Sequence, residues 1–319
     1  MEKYMKTSIF SIILKQLLLW GLSTVLLIII IFIPRDVIFE TSKYGDIQNV
    51  VYHYSIENHI ENIKSFFHYV KENKGLGEYA SGESVGAHVF EASIRSLKLI
   101  IPAILLGFFL GIVKGVFDFL TKRKKIGVGS GMTWFMLSVP DLFFMVFSQL
   151  ALMFLYEKGL FPHIDLFGHE KAENQIVAIV FLAMYPLFFI ANITYTSLLE
   201  EESMDYIPTA KSKGVGSFKI LSVHMLKNAL QKINVSSNTM TLYVLSNLFI
   251  VEFLTNYRGA AYYFFSSIAT PSSFRVGQSF FINLNIAFGF VLLFTFIIFL
   301  SNAFFQTINS FVTPKGKDI

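Results

Sequence analysis

The sequence predicts an all-α integral membrane protein with six transmembrane helices. Three observations carry this: the composition, six apolar segments of crossing length, and Lys and Arg gathered in alternate connections. Of 319 residues, 54% are hydrophobic and 15% charged, and Phe alone occurs 36 times. The mean hydropathy is +0.57. A soluble domain of this length needs more charge to cover its surface, so a soluble globular class is excluded. There is no Cys, which removes disulfides and thiolate metal centres.

The apolar segments cover residues 12–33, 97–120, 132–156, 176–199, 235–254 and 282–305. Each is close to the roughly 20 helical residues that cross a hydrocarbon core. Helix is the physical choice, because a lone strand in lipid leaves its backbone polar groups unpaired. The first segment is too long for a cleaved signal, and Pro34-Arg35-Asp36 is a poor cleavage context. Basic residues set the orientation. Lys3, Lys6 and Lys15, then Lys122, Arg123, Lys124 and Lys125, then Lys211, Lys213, Lys219, Lys227 and Lys232, then Lys315 and Lys317 fall on one side in short, dense groups. On the other side Arg35, Lys43, Lys64, Lys71 and Lys74 are spread over a long loop, and Lys158, Lys171, Arg258 and Arg275 are sparse. Both termini are therefore expected in the cytoplasm. The division is 1–33 for the N-terminus and first span, 34–91 for an extracytoplasmic loop, and 92–319 for a core of five spans.

Within the loop, residues 56–70 read as helix, and Gly75, Gly77 and Gly82 mark breaks. The second span carries Gly107, Gly111 and Gly115 on one stripe, which suits close packing on a neighbouring helix. Arg95, Lys98 and Lys114 read as snorkelling side chains. In the third span Pro140 kinks the helix and Asp141 must face protein or water, which suits either a moving pathway helix or a static bundle. The fifth span is the most polar. Ser236, Thr239, Tyr243, Ser246 and Asn247 are expected on one face, as the lining of a path for a polar solute or as interhelical hydrogen-bonding groups. Glu252, near the end of that span, is a gate or ion-pair candidate.

Residues 200–232 form a polar, basic stretch between two spans. Asp205 is expected to cap a short helix, with Pro208 in its first turn and Gly214 as a left-handed stop. Ser217 is expected to cap the next helix, which runs into the fifth span. The plain alternative is an amphipathic interfacial helix. Gly127-Val-Gly-Ser-Gly131 lacks the Gly-Lys-Ser/Thr ending that holds nucleotide, and neither a zinc-protease motif nor a nucleophile elbow is present. The chain is read as no enzyme, with no catalytic residue, cofactor or resident metal. His53, His59, His68, His88, His163 and His169 fall outside and read as exposed loop residues, with transition-metal binding the lesser alternative.

Asp205-Tyr-Ile-x-Thr209-Ala210-Lys-x-Lys213-Gly214, followed by His224-x-x-x-Asn228-Ala229, resembles the cytoplasmic loop of permease subunits of binding-protein-dependent ABC importers of the oligopeptide, dipeptide and nickel family. Ser138-Val-Pro140, Ser197-Leu-Leu-Glu200, Val251-Glu252-Phe253 and Thr313-Pro314-Lys315 echo other parts of that family in order. The chain departs from it at Pro208, where an acidic residue is common, and at Asn256-Tyr-Arg-Gly259, where the family has aromatic-Pro-Gly. The resemblance implies a type I importer permease fold in a bacterial cytoplasmic membrane. It also implies a peptide-like or small polar solute, a nickel or metal chelate included, and no nucleic acid. Asp205, Tyr206, Thr209, Ala210, Lys213 and Gly214 would then dock on cytoplasmic ABC ATPase subunits. A second homologous permease, an extracytoplasmic solute-binding protein and membrane lipid complete the implied partners. A non-transporting scaffold or signalling subunit with the same fold is the alternative.

Overall fold

The computed structural model describes residues 2–34, 37–41, 47–79, 81–124, 128–268 and 283–312. In chain order the elements are α1 (Glu2–Ile31), β1 (Val37–Thr41), β2 (Ile47–Tyr52), α2 (Ile56–Glu72), α3 (Val85–Thr121), α4 (Ser130–Ser138), α5 (Asp141–Glu157) and α6 (Ala172–Glu202). Then come α7 (Tyr206–Ser212), α8 (Ser217–Lys219), a π-helical turn (Ile220–Met225), α9 (Leu226–Leu254), α10 (Ala260–Ile268) and α11 (Leu284–Val312). The chain divides into two compact units. One holds residues 1–17, 97–257 and 298–319, and the other residues 18–96 and 258–297.

The larger unit is built on α6. Ala178, Leu182, Ile190, Ala191 and Leu198 of α6 are buried, and Ile190 and Leu198 share a core with Ile220 and Met225 of the π turn and Ala229, Ile233 and Met240 of α9. The glycine stripe of α3 packs on α6 as its spacing predicts. A Cβ on Gly107 would stand 2.8 Å from the Cβ of Pro186, one on Gly111 2.8 Å from the Leu187 carbonyl oxygen, and one on Gly115 2.5 Å from the Ala191 carbonyl oxygen. Two of these neighbours are backbone, so only glycine permits the approach. The C-terminal half of α11 is held to α9 by polar contacts. Asn234 Nδ2 donates to the Phe305 carbonyl at 2.7 Å, and the Thr241 and Ser301 hydroxyls lie 2.7 Å apart.

Among the described residues, four helices are long and apolar enough to cross a membrane: residues 9–31, 85–121, 172–202 and 284–311, with a fifth crossing if α4 and α5 count as one bent span. The expected third span is therefore not a kinked helix but two helices meeting at 102°. Val139, preceding a proline, is held extended at φ −85°, ψ 129°, and Pro140 cannot supply the donor that would continue the ladder. The fifth expected segment is helical as α9, whose 29 residues are about 43 Å long, but it is not among the helices apolar enough to cross a membrane. Its Asn, Ser and Thr residues keep it below the apolarity of the other four. α8, the π turn and α9 form one unbroken helical path from Ser217 to Leu254.

In the smaller unit, Val85, Val89 and Ala92 of α3 pack against Ala260 of α10 and Ile286 and Phe290 of α11. α2 begins where Ser55 Oγ accepts the Asn58 N–H at 3.3 Å and runs two residues past its expected end. The β1–β2 hairpin and α10 were not legible in the pattern. Arg35, Asp36, Lys43, Lys125, Gly127, Arg275 and the tail motif Thr313-Pro314-Lys315 lie outside the described residues.

Gly115→Ala is expected to lower stability by about 1–3 kcal/mol through overpacking, read as a lower unfolding temperature in detergent. Gly131→Ala, whose Cβ would meet open space, is expected to leave that temperature unchanged or slightly raised.

Candidate functional site

α6 ends at Glu202 and the chain turns at once into the seven-residue α7. Asp205 does not cap it. Its backbone is already helical at φ −60°, ψ −22°, and its side chain bonds no helix N–H. Instead its carbonyl accepts the Thr209 hydroxyl at 3.1 Å. Pro208 stands in the first turn, as expected, where its missing donor costs nothing. At the other end Gly214 adopts φ +77°. Its N–H donates to the Lys211 carbonyl at 2.9 Å and the Val215 N–H to the Ala210 carbonyl at 3.1 Å. These two bonds make a Schellman closure. Ser217 is not the cap of the following helix: Gly216 holds the cap position in extended backbone, and Ser217 is the first helical residue.

One face of α7 is seated in the core of its unit. Ile207 is 3% exposed, and Tyr206, Ala210 and Val215 pack around the same cluster with Leu198, Ile220, Met225 and Ile233. Ala210 and Tyr206 are half-buried, each packing against the seat with part of its surface still open. Asp205, Pro208, Thr209, Lys211 and Lys213 are exposed. The seat is reinforced by a polar knot. Tyr206 Oη donates to Glu201 Oε2 at 2.5 Å, and Asn228 Nδ2 donates to the same oxygen at 2.9 Å, so the end of α6, α7 and the start of α9 meet at one carboxylate. Burial, then the hydrogen bond and charge of Glu201, push the Tyr206 phenol up from 10.0 to about 12. A raised folded-state value means that this stabilisation is fully present below the unfolded value and is lost only as pH climbs from 10.0 toward about 12. The knot is thus intact at physiological pH. Ion pairs Lys122–Glu202 and Lys232–Glu200 brace the same region. Each is worth about 0–1 kcal/mol at a partly exposed site. The Lys122 ammonium also sits 3.9 Å from the centre of the Phe119 ring.

A second constellation lies deeper. Asn247 Nδ2 of α9 donates to Asp141 Oδ2 of α5 at 2.7 Å, so Asp141 has the protein partner its position demanded. Tyr243 makes edge contacts with Tyr185 at 4.7 Å and Phe189 at 5.3 Å between ring centres. Ser236 and Tyr243 are half-buried, whereas Thr239 and Ser246 are exposed. These four form a stripe along α9 at spacings of three and four. Asn247, four residues on from Tyr243 and about 40° further round the helix, lies at the buried edge of the same face. Glu252 is 0% exposed, and its carbonyl accepts the Tyr257 N–H at 2.9 Å. It is a core residue at the end of α9 and not a group on an accessible surface.

Sequence reasoning missed one buried charge cluster. Lys114 does not snorkel. Its ammonium pairs with Asp118, which is 0% exposed, and donates to Thr133 Oγ1 of α4 at 2.9 Å. Thr133 in turn donates to Asp118 Oδ2 at 2.5 Å. The i,i+4 spacing of two opposite charges inside an apolar span was the available signal. His59 is likewise no exposed imidazole. It is buried, with Nε2 2.8 Å from the Ile29 carbonyl oxygen and Nδ1 2.9 Å from the Tyr54 hydroxyl. Among the described residues no group of three or more His, Asp or Glu is placed to hold a metal ion.

Comparison with known proteins places these features. Residues 97–317 match the model of the family described as binding-protein-dependent transport system inner membrane component. The dipeptide transport system permease protein DppB of Bacillus subtilis (strain 168) is 29% identical over 174 residues, which is 54% of this chain and 55% of the relative. A putative peptide transport system permease protein of Brucella suis biovar 1 is 28% identical over 170 residues, 50% of this chain and 52% of the relative. The match thus spans about half the length of these relatives. The fold resembles a chain of the MetNI methionine ABC transporter in inward-facing conformations. That likeness has a TM-score of 0.53 at 16% identity over 71% of this chain and 96% of the other.

A Cβ on Gly214 would meet open space, so the cost of Gly214→Val is set by a β-branched residue in left-handed backbone, about 1–3 kcal/mol. It is expected to speed amide exchange across α7 while leaving α6 and α9 protected. Gly214→Asn, which tolerates that backbone, is expected to keep the protection.

Proposed function

The chain belongs to the binding-protein-dependent transport system inner membrane component family, and on that premise we propose that it is the permease subunit of an ATP-driven importer for peptide-like solutes. The observation that carries the reading is α7: a short helix with one face locked into the core and the other polar, basic and exposed. In this reading the exposed face, Asp205, Pro208, Thr209, Lys211 and Lys213, docks on a cytoplasmic ATPase subunit. Tyr206, Ala210 and Gly214 act behind it, by seating and ending the helix.

Six crossings complete the reading: α1, α3, the α4–α5 pair, α6, α9 and α11. The Lys and Arg distribution puts both termini and residues 200–232 in the cytoplasm and residues 34–91 outside. α9 is polar for a span, which is consistent with a helix shielded from lipid by a second permease subunit and lining the solute path. Its hydroxyl stripe suits a solute rich in amide donors and acceptors. Hydroxyls can replace part of the hydration shell that such a solute leaves behind. An extracytoplasmic binding protein delivers the solute.

The mechanical route follows from the contacts. Displacement of α7 by ATP-driven closure of the ATPases is carried to α6 and α9 by the Ile207 seat and by Glu201. α9 passes it to α5 through Asn247 and Asp141. The path wall therefore moves with the docking helix. A peptide-like solute is favoured over a metal chelate because the curated relatives are named as dipeptide and peptide permeases, and His59 is committed to a structural role.

Thr209→Asp and Lys211→Glu change only exposed side chains. Each is expected to cut dipeptide uptake by cells producing the whole transporter about tenfold or more, equivalent to about 1.4 kcal/mol of coupling. Membrane insertion and unfolding temperature are expected to stay unchanged. Normal uptake in both variants would contradict the docking assignment.

A further inference from the structure

α2 carries two apolar stripes, and the fold buries only one; in the other, Phe67 makes an edge contact with Phe288 at 6.1 Å between ring centres and stays 44% exposed. The first contains His59, Ile63, Phe66 and Val70, spaced for one helix face. His59 and Phe66 are buried, and the Phe66 ring lies 4.8 Å from Phe32 and 5.0 Å from Phe288. The second stripe is Ile56, Ile60 and Phe67, about 80° further round the helix at ~100° per residue. These three are 65%, 48% and 44% exposed. Lys64 and Lys71 come next round the helix and are exposed. Beyond them are Glu57, Glu61 and the His68–Glu72 pair, whose closest atoms are 3.0 Å apart. The order round the helix is packed, apolar and open, basic, then charged and solvated.

The height of α2 is set by its contacts. The apolar part of α1 runs over 23 residues, 9–31, or about 34 Å of helix. A hydrocarbon core is about 30 Å thick, so the last turn of α1 marks its edge. His59 is pinned to that turn by its contact with the Ile29 carbonyl oxygen, and Phe66 covers Phe32 immediately after it. Val25, Leu26, Ile29, Ile30 and Ile33 of the same region are exposed apolar residues, at the level where α2 is pinned to α1.

We propose that α2 lies in the lipid headgroup layer, with Ile56, Ile60 and Phe67 against acyl chains and Lys64 and Lys71 at the level of the phosphates. The occupant of the open stripe is membrane lipid. Two features select it over a protein: the pinning of α2 at the end of the apolar stretch of α1, where that helix also exposes apolar side chains, and the basic residues that border the stripe on its polar side, the arrangement of a helix lying in an interface. The inference requires only that α1 spans the membrane, and it stands apart from the docking role of α7.

The chain has no cysteine, so single-cysteine variants of the full-length protein take one nitroxide each. Ile60→Cys and Phe67→Cys are compared with Glu61→Cys and His68→Cys in vesicles of phosphatidylethanolamine and phosphatidylglycerol. Power saturation is measured with oxygen and with a water-soluble nickel chelate. Labels at 60 and 67 are expected to be several-fold more accessible to oxygen than to the chelate, and labels at 61 and 68 the reverse. Equal chelate accessibility at all four positions would mean a solvated helix and would overturn the proposal. Shielding of 60 and 67 from both agents would mean a protein cover and would overturn it equally. Ile56→Cys serves in place of Phe67→Cys if loss of the ring contact with Phe288 disturbs folding.

Discussion

A helix of seven residues has no stability of its own in water, so α7 exists because the core holds it. Ile207 supplies the apolar anchor, Glu201 ties the Tyr206 phenol and the Asn228 amide to one carboxylate, and the left-handed Gly214 closes the end. Remove the seat and the same sequence is a basic loop. With the seat in place, a force on the exposed face has only the long helices α6 and α9 to go into.

The rest of the larger unit can be read as support for that seat. α6 is straddled by α3 on one side, through backbone contacts that glycine alone permits, and by α9 on another. The long helices bury polar groups, and each named one has a specific partner: Asp141 has Asn247, Asp118 has Lys114 and Thr133, and Thr241 has Ser301. Such pairs are modest in energy within a bundle, about 0.6 kcal/mol on average. Leaving one member buried without the other costs far more, so they fix which helix faces meet. The π turn between α8 and α9 places the one irregular stretch of that long helical path directly beside the seat. π turns recur at positions where a helix must accommodate function.

What the sequence revealed, and what it hid, follows from the range of the interactions. The glycine stripe of α3 and the Gly214 stop were legible because each depends on backbone geometry local to its own segment. The extent of α2 was legible because its polarity varies with helical period. The orientation of α7 was not, since a helix of two turns takes its facing from the core beneath it. That is why the packing of half-buried Ala210 against the core was not legible. The partner of Asp118 was hidden for the same reason: Thr133 arrives from another helix. Pro140 signalled a disturbance, but whether a proline bends a helix or ends it depends on the path open to the next segment, and here that path turns by 102°. Glu252 and Asn247 read as pathway groups by position and are buried by tertiary packing.

The account stands on α7 presenting one face to its own core and the other to a motor subunit. A photo-crosslinking residue at position 209, in the intact transporter in cells, tests this most directly, with position 207 as the inward control. The account predicts covalent capture of a nucleotide-hydrolysing subunit from 209, and only contacts within the chain from 207. Capture of no such subunit from 209, or equal capture from both positions, would contradict it.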